Sequence, residues 1–353
     1  MIDSLIGEGG RVPELLQRFP IIEVRILACP PTIASPRALR SVLLVKTSSL
    51  GDVIHNMPAV TDLRAHFPEA RIDWVVEEAY APLVRLHPAI DRIVPVAIRR
   101  WRKSLFAAVT WREVKAVRAV LAQRRYDAII DTQGLVKSAI VARLAPGRRY
   151  GLDQASAREP LAARLYDERI PVSRQLHATA RSRALVAAAL GYTVEGPLDY
   201  GLSVAPATGG GDVILLHGTA RPEKEWPEAH WAELARSLTR AGEVVTLLRG
   251  TAVEAARSDR IAAANVGAGV AKHMDLEALA RVIASARAVV GVDTGLLHLA
   301  AALKVPTIAI FGATDPALTG PVGAGPITVC QATSEAVPVA SVLASLNAML
   351  GNH

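Results

Sequence analysis

The chain has 353 residues, of which 51% are apolar, and it carries a formal net charge of +7 at pH 7. This length allows two domains with cores of their own, and the positive charge favours an anionic partner: a phosphorylated substrate, nucleic acid or an acidic membrane surface. The two cysteines, Cys29 and Cys330, exclude a disulfide framework and fit a reducing, cytoplasmic setting. No apolar run reaches the length of a transmembrane helix.

The first forty residues differ in texture from the rest of the chain. They are rich in proline and show neither a clear helix period nor a strand period. They also lack the basic start, apolar middle and cleavage site of a secretory signal. We expect residues 1–40 to be an N-terminal extension of the fold, either a disordered segment or the product of an over-long start assignment.

From residue 41 onwards, short apolar runs alternate with helical patterns. This alternation predicts a parallel, doubly wound sheet. The stretch 196–212 is rich in glycine and proline and has no helical pattern, so it predicts an interdomain linker. The predicted strands of this half are Val42–Val45, Ile72–Val76, Ile93–Val96 and Ala128–Asp131, and the predicted helices are Ala59–His66 and Val109–Gln123.

After the linker the same alternation begins again. The sequence therefore predicts an α/β fold of two facing Rossmann-like domains with a central cleft, over residues 41–205 and 206–353. A nicotinamide cofactor is not expected, because no G-x-G-x-x-G opens a helix after a strand, and Walker A is absent. The predicted elements of this half are strands at Val213–Leu216, Val244–Leu248, the Val266 region, Ala288–Val292 and Thr307–Phe311, and helices at Pro227–Ala241 and Gly295–Leu303.

A carboxylate, Asp52, lies where the first strand passes into a helix, within VLLVKTSSLGDVIHNMPAV (42–60). Ser48, Ser49 and Asp52 are all suited to capping that helix. Ligands of α/β sheets, however, bind beyond the carboxyl ends of the strands. On these residues alone, both capping and chemistry remain open for Asp52.

Two stretches of the second half suit phosphate binding. In ARAVVGVDTGLLHLAAA (286–302), the residues Asp293, Thr294 and Gly295 open a helix that bears His298, and the free N–H groups of a helix start favour a phosphate. A capped helix with a packed histidine explains the same residues. In LLHGTARPEKEWPEAHW (215–231), a lysine in the loop could neutralise a diphosphate, or belong to a solvated loop; the two candidates there are Thr219 and Lys224.

The remaining candidates follow other strand ends. Glu254 lies after a predicted strand and is suited to bind ribose hydroxyls, or is an exposed helix glutamate. The basic run 99–103 has four positive charges, which could hold phosphates or carboxylates, grip nucleic acid with Trp101 stacking, or form a solvated face. On the same side of the predicted cleft we expect Lys46, Gln133 and Lys137.

The sequence resembles the ADP-heptose:lipopolysaccharide heptosyltransferases over about residues 41–345. Six stretches occur there in the same order: VKTSSLGDVIH, WVVEEAYA, PVAIRRWRK, IDTQGLVKSA, TARPEKEWP and VDTGLLHLAAAL. The R-R-W-R-K stretch favours the members that add the first L-glycero-D-manno-heptose to the Kdo of Kdo-lipid A. The resemblance implies an inverting GT-B glycosyltransferase with the acceptor in the N-terminal domain and ADP-heptose in the C-terminal one.

The resemblance also implies roles for residues, and with it Asp52 is predicted to be the general base rather than only a cap. No metal is required by any motif, although Mg²⁺ stimulation stays open, and nucleic acid is not expected. We expect a cytoplasmic enzyme, peripheral on the anionic inner face of the inner membrane. The donor-binding residues are predicted to be Thr219, Lys224, Glu254, Met274, Asp293, Thr294, Gly295 and His298, and the acceptor-binding residues Lys46, Ser48, Ser49, Arg99, Arg100, Arg102, Lys103, Gln133 and Lys137.

Two departures and two rival functions accompany this interpretation. Ala220 stands where close relatives have a second threonine, and Arg249 stands where relatives can carry a tryptophan near the adenine. Both bear on donor affinity. The rival functions are a heptosyltransferase with another acceptor, such as the second heptose, and a non-catalytic binder of anionic glycolipid or RNA.

Overall fold

The structure is a computed structural model that describes residues 39–219, 221–312, 314–332 and 336–351. Nearly all of the predicted N-terminal extension, and Ala220, lie outside these ranges. The described chain forms two six-stranded sheets in which every strand pair is parallel. Within the described ranges, no helix is long and apolar enough to cross a membrane.

The N-terminal sheet has the strand order β3-β2-β1-β4-β5-β6. Its central strand β1 is buried along its whole length, as the apolar run of a doubly covered parallel strand requires. The order reverses between β1 and β4, and ligands of such sheets bind at this point. The elements are β1 (Ser41–Val45), α1 (Leu50–His66), β2 (Arg71–Glu77), α2 (Ala81–Val84), β3 (Arg92–Val96), α3 (Ile98–Trp101), α4 (Ala108–Ala122), β4 (Tyr126–Asp131), α5 (Val136–Ala142), β5 (Gly147–Leu152), β6 (Glu168–Ile170) and α6 (Ala178–Leu190).

The C-terminal sheet repeats this order, as β12-β11-β10-β7-β8-β9, with its switch point between β7 and β10. Both of these strands are fully buried. The elements are β7 (Val213–Leu216), α7 (Glu228–Arg240), β8 (Val245–Leu247), α8 (Ala252–Ala263), β9 (Ala268–Val270), α9 (Leu276–Ala284), β10 (Ala288–Val292), α10 (Gly295–Ala302), β11 (Thr307–Phe311), α11 (Pro316–Thr319), β12 (Ile327–Gln331) and α12 (Val339–Leu350).

The two sheets meet through the helices that start at their switch points, since α1 packs against α10. The contact is close because glycine stands on both sides of it. A Cβ atom added to Gly295 would lie 2.7 Å from Leu50, and one added to Gly51 would lie 3.0 Å from the His298 ring. The predicted fold class, two facing Rossmann-like domains with a central cleft, is thereby confirmed. The boundary at 205/206 stays a prediction.

Two predicted elements differ from the structure. The helical pattern predicted at Ala59–His66 is only the second half of α1, which begins at Leu50, next to the predicted capping residue Ser49, and continues through Pro58. The strand expected around Val266 is instead β9, and Val266 itself is fully exposed in the turn that precedes it. Residues 191–212 contain no helix or strand, as expected of a linker.

Candidate active site

Asp52 stands in the first turn of α1, at the edge of the N-terminal switch point. Its Oδ2 atom accepts hydrogen bonds from the backbone N–H of Ser49 at 2.8 Å and from the Ser49 hydroxyl at 3.1 Å. The carboxylate therefore does cap the helix. Within the described chain, Oδ1 accepts no hydrogen bond, and the side chain is half-buried. Capping consequently leaves one carboxylate oxygen available to a ligand.

The loop after β1 is locked to the loop after β4. The Gln133 side-chain oxygen accepts from the N–H of Thr47 at 2.7 Å and from its hydroxyl at 2.8 Å. The Ser48 hydroxyl in turn accepts from the Gln133 amide at 3.2 Å and from Lys137 Nζ at 3.0 Å. Three of the predicted acceptor residues, Ser48, Gln133 and Lys137, thus form one cluster beside Asp52.

Lys46 and Asp131 place buried charges beneath this cluster. Lys46 Nζ donates to the carbonyl oxygen of Thr132 at 2.9 Å, and burial lowers the pKa of Lys46 although Asp52 and Asp131 oppose the shift. Asp131 accepts from the hydroxyl of Tyr166 at 2.7 Å, and burial raises the pKa of its carboxyl. Sequence reasoning missed Asp131 as a site residue, although Asp131 ends the strand that Gln133 follows.

Two residues of the basic run are engaged within the fold. The Arg100 guanidinium forms ion pairs with Glu78 at 3.2 Å and Glu113 at 2.9 Å. Trp101 is buried, and its indole N–H donates to Glu113 Oε2 at 2.6 Å. Trp101 is therefore not presented for stacking on nucleic acid. Arg100 reaches an acceptor only if it exchanges its carboxylate partners.

The other three residues of the run are exposed, and two of them, Arg99 and Arg102, lie near Lys137. Partial burial lowers the pKa of Lys137, Glu77 opposes the shift, and Arg99 and Arg102 add to it, which places these charges close together. Lys103 is exposed beyond them. Arg99, Arg102 and Lys137 thus form a positive field at the edge of the Asp52 loop.

Across the cleft, Asp293 organises the C-terminal switch point. Its Oδ2 atom accepts from Lys224 Nζ at 2.5 Å and from the hydroxyl of Thr314 at 2.9 Å, and its Oδ1 lies 3.7 Å from His298 Nε2. Burial alone would raise the pKa of Asp293, but the nearby His298 ring and the hydrogen bond from Lys224 outweigh it and hold the pKa well below its usual value. The Thr219 hydroxyl donates to the carbonyl oxygen of Asp293 at 3.2 Å. Four predicted donor residues are therefore brought together, with Lys224 held by Asp293.

The start of α10 follows Asp293 and Thr294 in the chain and lies against Leu50 of the N-terminal domain. Thr294 is its N-cap, but the Thr294 side chain makes no capping hydrogen bond. The N–H groups of the first turn carry the positive end of the helix dipole. Such a helix start suits a phosphate. Among the described residues, no group of three or more His, Cys, Asp or Glu side chains is arranged to hold a metal ion.

Glu254 and Met274 lie farther along the same edge of the C-terminal sheet. Glu254 caps α8 by accepting from the N–H of Thr251 at 2.7 Å. A Cβ atom on Gly218 or Gly250 would lie within 2.4 Å of its carboxylate, so Glu254 bridges the loops after β7 and β8. Met274 is half-buried in the loop after β9. Glu254, which follows the second strand of this Rossmann-like domain, lies where such domains carry a ribose-binding acid, whereas Met274 follows the third strand.

Three histidines join the two domains beside Asp52. The ring of His55 lies 4.5 Å from that of His298 and 5.4 Å from that of His177, measured between centroids. Within the described chain, neither nitrogen of His55 has a hydrogen-bond partner, and burial lowers its pKa well below the usual value. Sequence reasoning missed His55 as an interdomain residue. The available signal was its position three residues after Asp52, on the same side of α1.

Two facing Rossmann-like domains whose switch-point loops meet across a cleft define a fold of the GT-B type. Residues 114–345 match glycosyltransferase family 9 (heptosyltransferase), and the chain belongs to this family. It is 46% identical to Lipopolysaccharide heptosyltransferase 1 of Escherichia coli strain K12 over 303 residues, which cover 83% of this chain and 94% of that protein.

Two solved structures from E. coli are also similar to this chain at 42% sequence identity. Heptosyltransferase WaaC with ADP matches with a TM-score of 0.82 and covers 89% of this chain and 100% of that one. WaaC with ADP-2-deoxy-2-fluoro heptose matches with a TM-score of 0.80 and covers 87% of this chain and 99% of that one. These similarities extend over both domains.

Proposed function

We propose that the chain transfers L-glycero-D-manno-heptose from ADP-heptose to a Kdo residue of Kdo-lipid A, with inversion of the anomeric centre. The E. coli relative, a lipopolysaccharide heptosyltransferase 1, supports the reaction, and the solved structure with an ADP-heptose analogue supports the donor. The observation that carries the proposal is the placement of Asp52. One of its carboxylate oxygens is free of the helix cap, at the contact of α1 with α10.

In this reaction Asp52 acts as the general base. A sugar hydroxyl is a weak nucleophile, and a carboxylate within hydrogen-bond reach takes its proton as the new C–O bond forms, which is worth about 10²–10⁴-fold in rate. The C–O bond to the diphosphate breaks on the opposite face, and ADP leaves with its electron pair. The configuration at the anomeric carbon is therefore inverted.

Negative charge grows on the diphosphate as it leaves, and we propose that groups of the C-terminal domain stabilise it. The N–H groups at the start of α10 and the Thr294 hydroxyl suit the phosphates. Lys224 would exchange its bond to Asp293 for the incoming diphosphate. We propose that these groups suffice without a metal, since no Asp-x-Asp sequence occurs in the donor half. Addition of EDTA or Mg²⁺ to the transfer assay tests this point.

The acceptor is proposed to bind on the N-terminal side of the cleft. Arg99, Arg102, Lys103 and Lys137 offer positive charge to the Kdo carboxylates and the lipid A phosphates. Because that acceptor lies in an anionic leaflet, we place the enzyme peripherally on the cytoplasmic face of the inner membrane. Arg100 contributes there chiefly by holding Glu78 and Glu113.

Release of ADP from ADP-heptose, measured with and without Kdo-lipid A, tests the proposal. We expect release that depends on the acceptor, together with a product whose new linkage has the inverted configuration by NMR. Release with a heptosylated acceptor only would instead indicate addition of the second heptose. Binding of glycolipid without any release would indicate a non-catalytic binder and would overturn the proposal.

A further inference from the structure

An apolar tip projects from the N-terminal domain where α3 passes into α4. Four large apolar side chains of this short stretch are exposed: Leu105 by 52%, Phe106 by 101%, Val109 by 41% and Trp111 by 56%. Nothing in the described chain covers them. The other large apolar side chains that are exposed, such as Val253 and Val266, lie apart from one another in the sequence. A contiguous exposed apolar patch of this kind typically binds a protein partner or a membrane.

The backbone of this tip is held in place, so the apolar side chains are presented by an ordered turn. The Thr110 hydroxyl donates to the carbonyl oxygen of Ser104 at 2.8 Å, and the Trp111 indole N–H donates to that of Leu105 at 2.9 Å. Phe106 stands between these two anchors. These hydrogen bonds therefore hold the turn in a conformation that leaves Phe106 exposed to solvent.

Basic side chains border the apolar tip. Arg112, Lys115 and Arg118 recur at every third residue along the exposed side of α4, while Arg102 and Lys103 precede the tip. Within the described chain, none of these five forms an ion pair. The acidic residue of α4, Glu113, is engaged by Arg100 and Trp101. The charge beside the tip is thus uncompensated and positive.

We propose that this tip and its basic border form a membrane-docking patch, which inserts into a bilayer that contains anionic phospholipid. The patch consists of Leu105, Phe106, Val109 and Trp111 with Arg102, Lys103, Arg112, Lys115 and Arg118. Apolar side chains that enter the acyl boundary and lysines or arginines that meet the headgroups are the two components of interfacial membrane binding. Trp111 suits the boundary itself, because an indole ring is apolar with one polar edge.

The position of the patch fits an acceptor that stays in the membrane. Arg102 belongs both to the patch and to the positive field around Lys137, which donates to Ser48 in the Asp52 loop. A lipid-linked sugar could therefore reach the cleft while its acyl chains remain in the bilayer. In this respect the inference rests on the proposed function, whereas binding of the patch to lipid does not require catalysis.

Intrinsic fluorescence offers a direct test, because Trp111 is the exposed one of the five tryptophans and the other four are buried. The full chain is titrated with phosphatidylcholine vesicles that contain or lack phosphatidylglycerol. We expect a blue shift of the emission, quenching by brominated acyl chains, and binding that requires phosphatidylglycerol and weakens with salt. Trp111→Phe should abolish the spectral change.

Matched variants separate the patch from general surface effects. Phe106→Ser should weaken vesicle binding by about tenfold or more, whereas Val266→Ser, at an equally exposed site in the other domain, should not. Lys115→Gln with Arg118→Gln should weaken binding to phosphatidylglycerol vesicles by about tenfold or more. The control pair is Arg236→Gln with Arg240→Gln on α7, which are also exposed.

Transfer to detergent-dispersed acceptor distinguishes failure of the patch from failure of the function. Phe106→Ser should retain this transfer while it loses vesicle binding. If the wild type binds vesicles but transfers no heptose, the proposed function is refuted and the membrane-docking patch is still supported. Absence of wild-type binding, or equal binding by Phe106→Ser, would overturn the patch. So would a Phe106-dependent self-association in sedimentation without any binding to vesicles, since the tip would then join two copies of the chain.

Discussion

Replacement of Asp52 by asparagine separates the two roles that the structure gives to its carboxylate. Oδ2 caps α1 by accepting two hydrogen bonds from Ser49, and Oδ1 is free for the acceptor hydroxyl. An asparagine keeps a carbonyl oxygen that can accept the bonds of Ser49. It has no basic oxygen that can take a proton. Asp52→Asn should therefore preserve the cap and remove the base.

The expected magnitudes differ enough to decide between the roles. Loss of a whole helix cap costs about 1 kcal/mol, and loss of a negative charge near a helix start costs about 0.3–1 kcal/mol. The variant should consequently unfold within a few degrees of the wild type. Loss of general-base catalysis should lower kcat by about 10²–10⁴-fold. Stability and rate should thus change by very different amounts.

The assay is ADP release at saturating donor and acceptor, together with a thermal melt and calorimetric binding of ADP-heptose. Asp275→Asn is the matched control, because Asp275 caps α9 by accepting from the N–H of Ala278 at 2.8 Å and has no proposed role in the site. Donor binding should be unchanged in Asp52→Asn. A loss of kcat smaller than about tenfold, or an equal loss in the control, would refute the assignment of Asp52 as base.

Three further outcomes follow from the site. For His55 alone, the free energy of unfolding should be constant above pH 6.5 and fall by about 1.4 kcal/mol per pH unit below it, because the unfolded chain binds a proton that the buried ring does not. Thermal melts of His55→Asn over this pH range should show a smaller slope than those of the wild type. Gly295→Ala should push α10 away from Leu50 and lower kcat/KM. Gly269→Ala, where an added Cβ atom would meet only ordinary contacts, should not. Lys224→Gln should leave the Asp293 carboxylate without its cation and lower the free energy of unfolding by up to about 3 kcal/mol, which thermal melts measure. The same variant should raise KM for ADP-heptose in steady-state kinetics.

Much of the fold could be predicted because the central strands of both sheets are buried on two faces. Ala288–Val292 and Thr307–Phe311 are continuous apolar runs, and both strands begin and end where predicted. The edge strands β6 and β9 have three residues each and are partly exposed, so they leave no such run. The helical pattern of α1 was predicted only from Ala59 because Pro58 is typical of a first helical residue, although α1 begins at Leu50 and continues through Pro58.

Part of the candidate site could also be predicted from the sequence, and part could not. Residues that follow strand ends, such as Asp52 and Asp293, could be found from the order of strands and helices alone. The partners of these side chains could not be predicted, because they come from distant segments of the chain: Lys224 binds Asp293, and Gln133 binds Thr47. The burial of Trp101 could not be predicted either, because its neighbours in the basic run are all charged and therefore indicate an exposed segment.

The glycines at the α1–α10 contact have a consequence for how sequences of this kind can vary. Gly51 belongs to the first motif and Gly295 to the last. A Cβ atom at Gly295 would overlap Leu50 at 2.7 Å, and one at Gly51 would press on the His298 ring at 3.0 Å. The first and last motifs, although far apart in the sequence, are therefore linked by one steric contact. A side chain gained at one glycine has to be answered by a smaller residue in the opposite domain. In related sequences we expect these two pairs to change together or not at all.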